Sequence, residues 1–258
     1  MSRLENGKLV PRLVDVTALL DYYAEAQPDA VTRELRDRVL VLAAESRKQE
    51  WFSPFRDVMT GSLTADHIQR YVEFETDAEE ILTYVVEFVP GLLQTAGYAR
   101  AVVDMFYPDS TPRQRSRFVE FRLARQQVLR RRARPTQLRT AVRETALRRV
   151  LGSPAVMAEQ LDRLASELND GLGNVEIRIV PDRLAVPPAL RGSFVVMRFP
   201  DSDGTAGLVY LEGRGGADYL QNQAVVARHR DDFRTLWENS LSQHDSLALL
   251  DEVRRSIT

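Results

Sequence analysis

The chain has 258 residues, enough for one large or two modest domains with a sizeable apolar core. It contains no cysteine, which excludes disulfides, thiolate catalysis and Cys-ligated metal sites. Its net charge of -2 hides an asymmetry: between Arg113 and Arg149, thirteen arginines against Glu120 and Glu144 give a local balance of +11, flanked by segments of -8 and -5.

No apolar run approaches the roughly 18 residues of a membrane-spanning helix, and the start lacks the layout of a signal peptide, so the sequence reads as cytoplasmic. Ser2-Arg3-Leu4-Glu5-Asn6-Gly7-Lys8 has the ordering of a helix's last turn, with Gly7 placed for the left-handed conformation and Lys8 near the negative end of the dipole. After Pro11, Leu13, Val16, Leu19, Leu20 and Tyr23 share one face of an amphipathic helix, and Leu35, Val39, Leu42 and Ala43 share one face of a second. Pro28-Asp29 separates them, and Trp51 to Gly61 reads as a linker.

Thr64 caps a third helix carried through HIQRYVEFETDAEEIL, and TYVVEFVPGLLQTAGYARAVVDMF breaks at Pro90-Gly91 before resuming as helix. RSRFVEFRLARQQVLRRRA is helical by period and propensity until Pro135 stops it, and Gln137 to Val142 alternates as a strand. Ser153 and Pro154 occupy the N-cap and first position of the next helix. VEIRIV, SFVVMRF and LVYLEG read as three further strands, and GRGGADY at 213 to 219 as a strand-to-helix turn. The final helices run from Tyr219 to Leu241 and from Gln243 to Ile257. The expected fold class is α+β: mostly helical, with a helical N-terminus and a small mixed sheet of about four strands.

No catalytic constellation has a specific signature. GRGGADY lacks both the G-x-G-x-x-G spacing and a phosphate-loop lysine, and no serine sits in a G-x-S-x-G elbow. His67, His229 and His244 are far apart without metal-ligand spacing, so no metal and no cofactor is expected. Glu73, Glu75, Asp77, Glu79 and Glu80 lie in one acidic run, most of which a helix would turn to water. Polar residues set among apolar stretches are the binding candidates. Gln94 and Tyr98 follow the Pro90-Gly91 break, while Arg122, Arg125 and Gln126 lie along one helix. Glu144 and Arg148 stand at i and i+4 after a strand, and Glu212 ends another strand. These charges either converge in a cleft for a small polar or acidic ligand, with Glu144 and Arg148 beside Gln94 or Tyr98, or form a network pinning helices to the sheet. The basic block is either a surface for a polyanion or acidic partner protein, or pairs with the acidic flanks of the same chain.

The opening SRLENGK resembles the close of the recognition helix in Xre-type, lambda-repressor-like helix-turn-helix domains, with Met1 in the place of a small apolar residue. VPGLLQT with YAR, then FRLARQQVLRR, VRETALRRVLGSPAVMAEQL, VYLEG and SLALLDEV, are similar in order and spacing to the large C-terminal domain of unknown function in actinobacterial WhiJ-like regulators. The resemblance implies a partial helix-turn-helix domain over 1–50, a linker over 51–63 and a C-terminal sensing or interaction domain over 64–258. It implies further that the first two helices and most of the third are missing from this chain, either because Met1 is an internal valine codon read as a start or because the DNA-binding domain has decayed. Base readout would belong to that missing part, leaving Arg3 and Lys8 for DNA phosphates and the two remaining helices without their partners. The expected function is a transcriptional regulator, binding DNA as a homodimer when complete, with a small effector or partner at its C-terminal domain. Two alternatives stand beside it: an adaptor for a small acidic protein, and an enzyme using Glu144 or Glu212 as acid or base.

Overall fold

In the computed structural model the chain divides into two units, Met1–Pro54 and Phe55–Thr258. The described residues are 13–27, 30–45, 51–59, 65–131, 134–200, 207–213 and 216–257. The SRLENGK stretch with Arg3 and Lys8, and the Thr64 cap, lie outside them.

The first unit contains α1 (Leu13–Ala26) and α2 (Arg33–Glu45). Thr32 starts α2 by accepting from the Leu35 amide at 3.2 Å, which satisfies one of the amides a helix start leaves unpaired. Val16 and Leu20, one turn apart on α1, meet Ala43 of α2, with Val31, Val39 and Leu40 around them. An Asp21–Arg36 ion pair of 2.5 Å ties the two helices together. Tyr23 and Leu35, expected on the apolar faces, are instead 46% and 42% exposed. A two-helix contact covers only the stripe nearest the partner, so residues at the margins of each face stay in water.

The second unit is built on one six-stranded sheet, where the sequence suggested about four strands. Its strands are β1 (Glu80–Val85), β2 (Gln137–Arg143), β3 (Val175–Val180), β4 (Phe194–Arg198), β5 (Gly207–Gly213) and β6 (Gly216–Leu220). The order is β3-β2-β1-β4-β5-β6, parallel among the first three and antiparallel from β1 through β6. β1 is thus central, although the helix expected from Thr64 takes in its first three residues. The helix here, α4 (Ala65–Asp77), ends three residues before β1 begins. Flanked on both faces, β1 buries four consecutive residues, Ile81 to Tyr84, and so shows no alternation. β6, read as a turn, is a short edge strand pairing antiparallel with β5, its side chains only partly covered.

The remaining helices are α3 (Arg56–Met59), α5 (Ala96–Phe106), α6 (Pro112–Ala124), α7 (Glu144–Arg148), α8 (Pro154–Asp170), α9 (Gln223–Glu238) and α10 (Gln243–Ile257). On one face of the sheet Ile81, Leu138, Ile177 and Met197 pack with Met157 and Leu161 of α8 and Leu250 of α10. On the other, Leu82, Tyr84, Val196 and Val209 pack against Phe233 and Leu236 of α9. The start of α9 moves from the expected Tyr219 to Gln223, where Asn222 caps it through the amides of Ala224 and Val225. Arg125 and Gln126, expected to continue the arginine-rich helix, sit in a 3-10 turn over Arg125–Arg130 that follows α6. None of the described helices is long and apolar enough to cross a membrane.

Candidate functional site

The segment between β1 and α5 is a short turn fixed from all sides. Pro90 enters a 3-10 turn at Gly91–Leu93, and Leu92 and Leu93 anchor it in the core. Gln94, only 3% exposed, donates its amide to the Val89 carbonyl at 2.8 Å. Gln160 of α8 accepts from Thr95 N at 2.8 Å and donates to Leu93 O at 2.9 Å. Gln126 donates to Gln94 O at 2.7 Å. Thr95 then caps α5 through the Tyr98 amide, and the Tyr98 hydroxyl accepts from Val89 N at 3.2 Å. Three glutamine amides from three elements therefore satisfy backbone groups that a buried turn would leave unpaired.

Two arginines one turn apart face this segment. Arg125 makes a bidentate pair with Glu75 of α4, through Nε at 2.9 Å and Nη2 at 2.7 Å, and stands over the Tyr71 ring at 5.1 Å. Glu75 is 1% exposed. Burial disfavours the Arg125 charge, but the Glu75 carboxylate outweighs it and raises the guanidinium's pKa. Arg122 has no such partner. Its one hydrogen bond among the described residues is a long one, 3.4 Å from Nη1 to Gln94 Oε1. Burial first, and the neighbouring Arg125 charge second, push its pKa down to about 10. It remains a cation at neutral pH, in a place that disfavours cations.

Gly91 lies opposite both. A methyl group on its Cα would stand 3.7 Å from Arg122 Nη1 and 3.8 Å from both Nη1 and Nη2 of Arg125. Three guanidinium nitrogens thus lie on the side of Gly91 toward which a side chain would project. Tyr71, Tyr210 of β5 and Tyr219 of β6 form the adjoining wall, with ring centroids 4.6 and 5.2 Å apart in succession. Burial above all, with the nearby Glu75 and Glu212 charges, raises the Tyr71 and Tyr210 phenols, so both are neutral hydroxyls at any ordinary pH. Glu212 is exposed at the end of β5, near enough for its charge to be felt at Arg122 yet outside ion-pair distance.

Glu144 and Arg148 belong to a separate network at the carboxyl ends of β2 and β3. Arg148 donates to Glu144 at 2.7 Å and to Glu252 at 2.9 Å, and Glu144 accepts from Asp182 N at 3.1 Å. Asp182 in turn accepts from Arg143 Nε at 3.0 Å, from the Thr145 hydroxyl at 2.7 Å and from the Thr145 amide at 3.2 Å. Burial would raise the Asp182 carboxyl, yet the hydrogen bonds from Thr145 and Arg143 hold it below the usual aspartate value. Among the described residues neither Glu144 nor Arg148 hydrogen-bonds Gln94 or Tyr98. Of the residues singled out in the sequence, Gln94, Arg122, Arg125 and Gln126 meet directly, Tyr98 supports the turn beneath them, and Glu212 stands at the rim.

Sequence reading missed Glu75, Tyr71, Gly91 and Gln160. Glu75 belongs to the acidic run of which most was expected to face water, but it lies three residues after the fully buried Val72 and four after Tyr71, on the inward stripe of α4. That spacing was a usable signal. The basic block is dispersed over several elements, and among the described residues six of its thirteen arginines hold carboxylates: besides Arg125 and Arg148, Arg115 pairs with Asp104, Arg117 with Asp57, Arg139 with Glu176 and Arg143 with Asp182. A concavity elsewhere, lined by Glu80, Met197, Arg198, Val226 and Arg230, has room for little more than a water molecule, and Arg198 is held there by Glu79 and Glu80. Among the described residues no three His, Asp or Glu side chains come together as metal ligands do.

Comparison with known proteins finds no curated protein and no solved structure that matches. Residues 68–252 match a family described as a domain of unknown function, DUF5753. That stretch is most of the chain and includes every residue of the Gly91 cluster, and by it the protein belongs to the DUF5753 family.

Proposed function

We propose that the protein is a cytoplasmic transcriptional regulator of the Xre, WhiJ-like kind, and that its Phe55–Thr258 unit senses a small ligand at the Gly91 cluster. The observation that carries the sensing half is the convergence of Arg122 and Arg125 on Gly91 with a single carboxylate between them. A group that only pins helices to a sheet is expected to be satisfied within the fold, as the Asp182 network is. The regulator half rests on the resemblance of SRLENGK to the end of a recognition helix. On this reading Arg3 and Lys8 meet DNA phosphates, and a homodimer reads a two-fold operator.

The adaptor and enzyme readings are weaker. Arg115, Arg117, Arg125, Arg139, Arg143 and Arg148 of the basic block already hold carboxylates of their own chain, and both oxygens of Glu144 are engaged by Arg148 and the Asp182 amide. Sequencing the DNA crosslinked to the protein in its own cells tests the proposal. A regulator yields a small set of enriched sites sharing a two-fold motif, and Arg122→Met alters occupancy at those sites if the cluster is its sensor. Absence of any enriched site overturns the regulator reading, and unaltered occupancy in the variant overturns the sensor.

A further inference from the structure

We infer that the ligand of the Gly91 cluster carries an oxyanion group, a carboxylate or a phosphate, held between Arg122 and the outer edge of the Arg125 guanidinium. This rests on the reading that the cluster is a ligand site, and adds the chemistry of what it takes. The donors come first. Nε and Nη2 of Arg125 are committed to Glu75, whereas its Nη1 has no acceptor among the described residues. Arg122 offers Nε and Nη2 without acceptors, and Nη1 with only the long contact to Gln94. Arg122 Nη1, with only its long contact, and Arg125 Nη1, without an acceptor, both stand beside Gly91, and guanidinium donors match the paired oxygens of a carboxylate or phosphate.

The place is open to such a group. The Cβ position of Gly91 lies 3.7 Å from Arg122 Nη1 and 3.8 Å from Arg125 Nη1, so the two guanidinium edges stand beside a residue with no side chain to block an oxyanion that approaches them. Charge-assisted N–H···O contacts run about 2.7–2.9 Å, within reach of a group seated between the two edges. Gly91, Arg122 and Gln126 all keep partial access to solvent, so the place is open to a solute, while Gln94, Gln126 and Gln160 hold the turn that forms its floor. The charge balance agrees. Two guanidiniums face one buried carboxylate, and the depressed pKa of Arg122 records a cation that an added anion would relieve. Glu212 is the internal competitor, a rim carboxylate that weakens binding of any second anion.

The test uses the full chain and two probes, inorganic phosphate and acetate, each titrated against chloride at constant ionic strength while thermal unfolding is followed. One or both should raise the melting temperature saturably, and the one that does identifies which oxyanion the site prefers. Gly91→Ala is the decisive variant. Its added methyl makes only ordinary van der Waals contacts, and no left-handed backbone is needed at this position, so the fold should be kept while the anion's place is filled. Gly91→Ala and Arg122→Met should each weaken the apparent affinity by about tenfold or more, the loss of about 1.4 kcal/mol. Glu212→Gln should strengthen it.

Phosphate also stabilises proteins generally by exclusion from their surface. A rise in melting temperature that persists unchanged in both variants is that general effect and overturns the inference. The failure of the underlying site reading looks different. If Arg122 is a structural member, Arg122→Met lowers the melting temperature in chloride alone. If it is held for a ligand, that variant melts at the wild-type temperature or above. A stable Arg122→Met protein with no oxyanion effect in the wild type leaves the site but removes the oxyanion.

Discussion

Two polar clusters flank the same parallel strands and are built in opposite ways. At the ends of β2 and β3, Arg143, Glu144, Thr145, Arg148, Asp182 and Glu252 form a closed circuit in which each carboxylate holds a cation or an amide. At the Gly91 turn, Arg125 is matched by Glu75, while Arg122 is matched only by the weak contact to Gln94. The closed network has an exposed rim, with Glu252, Asp182 and Arg148 side chains 60%, 41% and 40% exposed around the more covered Arg143 and Glu144, whereas Glu75 and Arg125 are 1% and 13% exposed. Water reaches the rim of the first set and does not reach the Glu75 carboxylate of the second. Incomplete pairing where pairing matters most is what separates a binding group from a structural one.

The sharpest way to break this comparison is at the buried pair. Glu75→Ala leaves the Arg125 charge buried without its carboxylate and should cost about 3–5 kcal/mol in denaturant unfolding. Recovery of most of that loss in the double variant with Arg125→Met would assign it to the orphaned charge. Gln160→Leu should follow, at about 2–4 kcal/mol, because Thr95 N and Leu93 O would both lose their partner within the core. Loss of oxyanion response in that variant, at temperatures where it is still folded, would place the turn in the site.

In the closed network the effects are smaller. Asp182→Asn should cost about 1 kcal/mol at neutral pH, its partial exposure screening the rest. Its sign with pH is definite. The folded carboxyl titrates below its ordinary 3.8, so its contribution is present above that value and is lost as pH falls through the depressed one. The variant should therefore show a flatter acid limb when unfolding is measured as a function of pH. Smallest is Glu252→Ala, which removes one exposed arm of Arg148 and should change stability by about 0.5 kcal/mol or less. A larger loss there than at Asp182 would invert the view of this network as a solvated lock.

Helix caps and interrupted turns were legible in the sequence because their chemistry is local. Ser153 and Pro154 begin α8, Pro90-Gly91 breaks the chain, and the strand from Gln137 appears where alternation placed it. β1 was not legible, because a strand buried on both faces loses its period of two and the acidic residues before it favour helix. β6 was hidden for the converse reason, a short, half-exposed edge that opens on Gly216 and carries Asp218.

The candidate site divides along the same line. Gln94, Arg122, Arg125 and Gln126 could be picked out as polar residues among apolar neighbours, since burial of such residues demands partners. Which of them would meet, and that Glu144 and Arg148 would be drawn into another network, depended on β1 entering the centre of the sheet and setting the Gly91 turn at its end. The amino-acid sequence by itself determined the mixture of helices and strands, the capped boundaries and the residue types able to bind an anion. Only the tertiary structure decided that Glu75 answers Arg125 and leaves Arg122 unanswered, because that pairing joins residues 50 positions apart, and its geometry is set by the packing of α4 against the turn after α6.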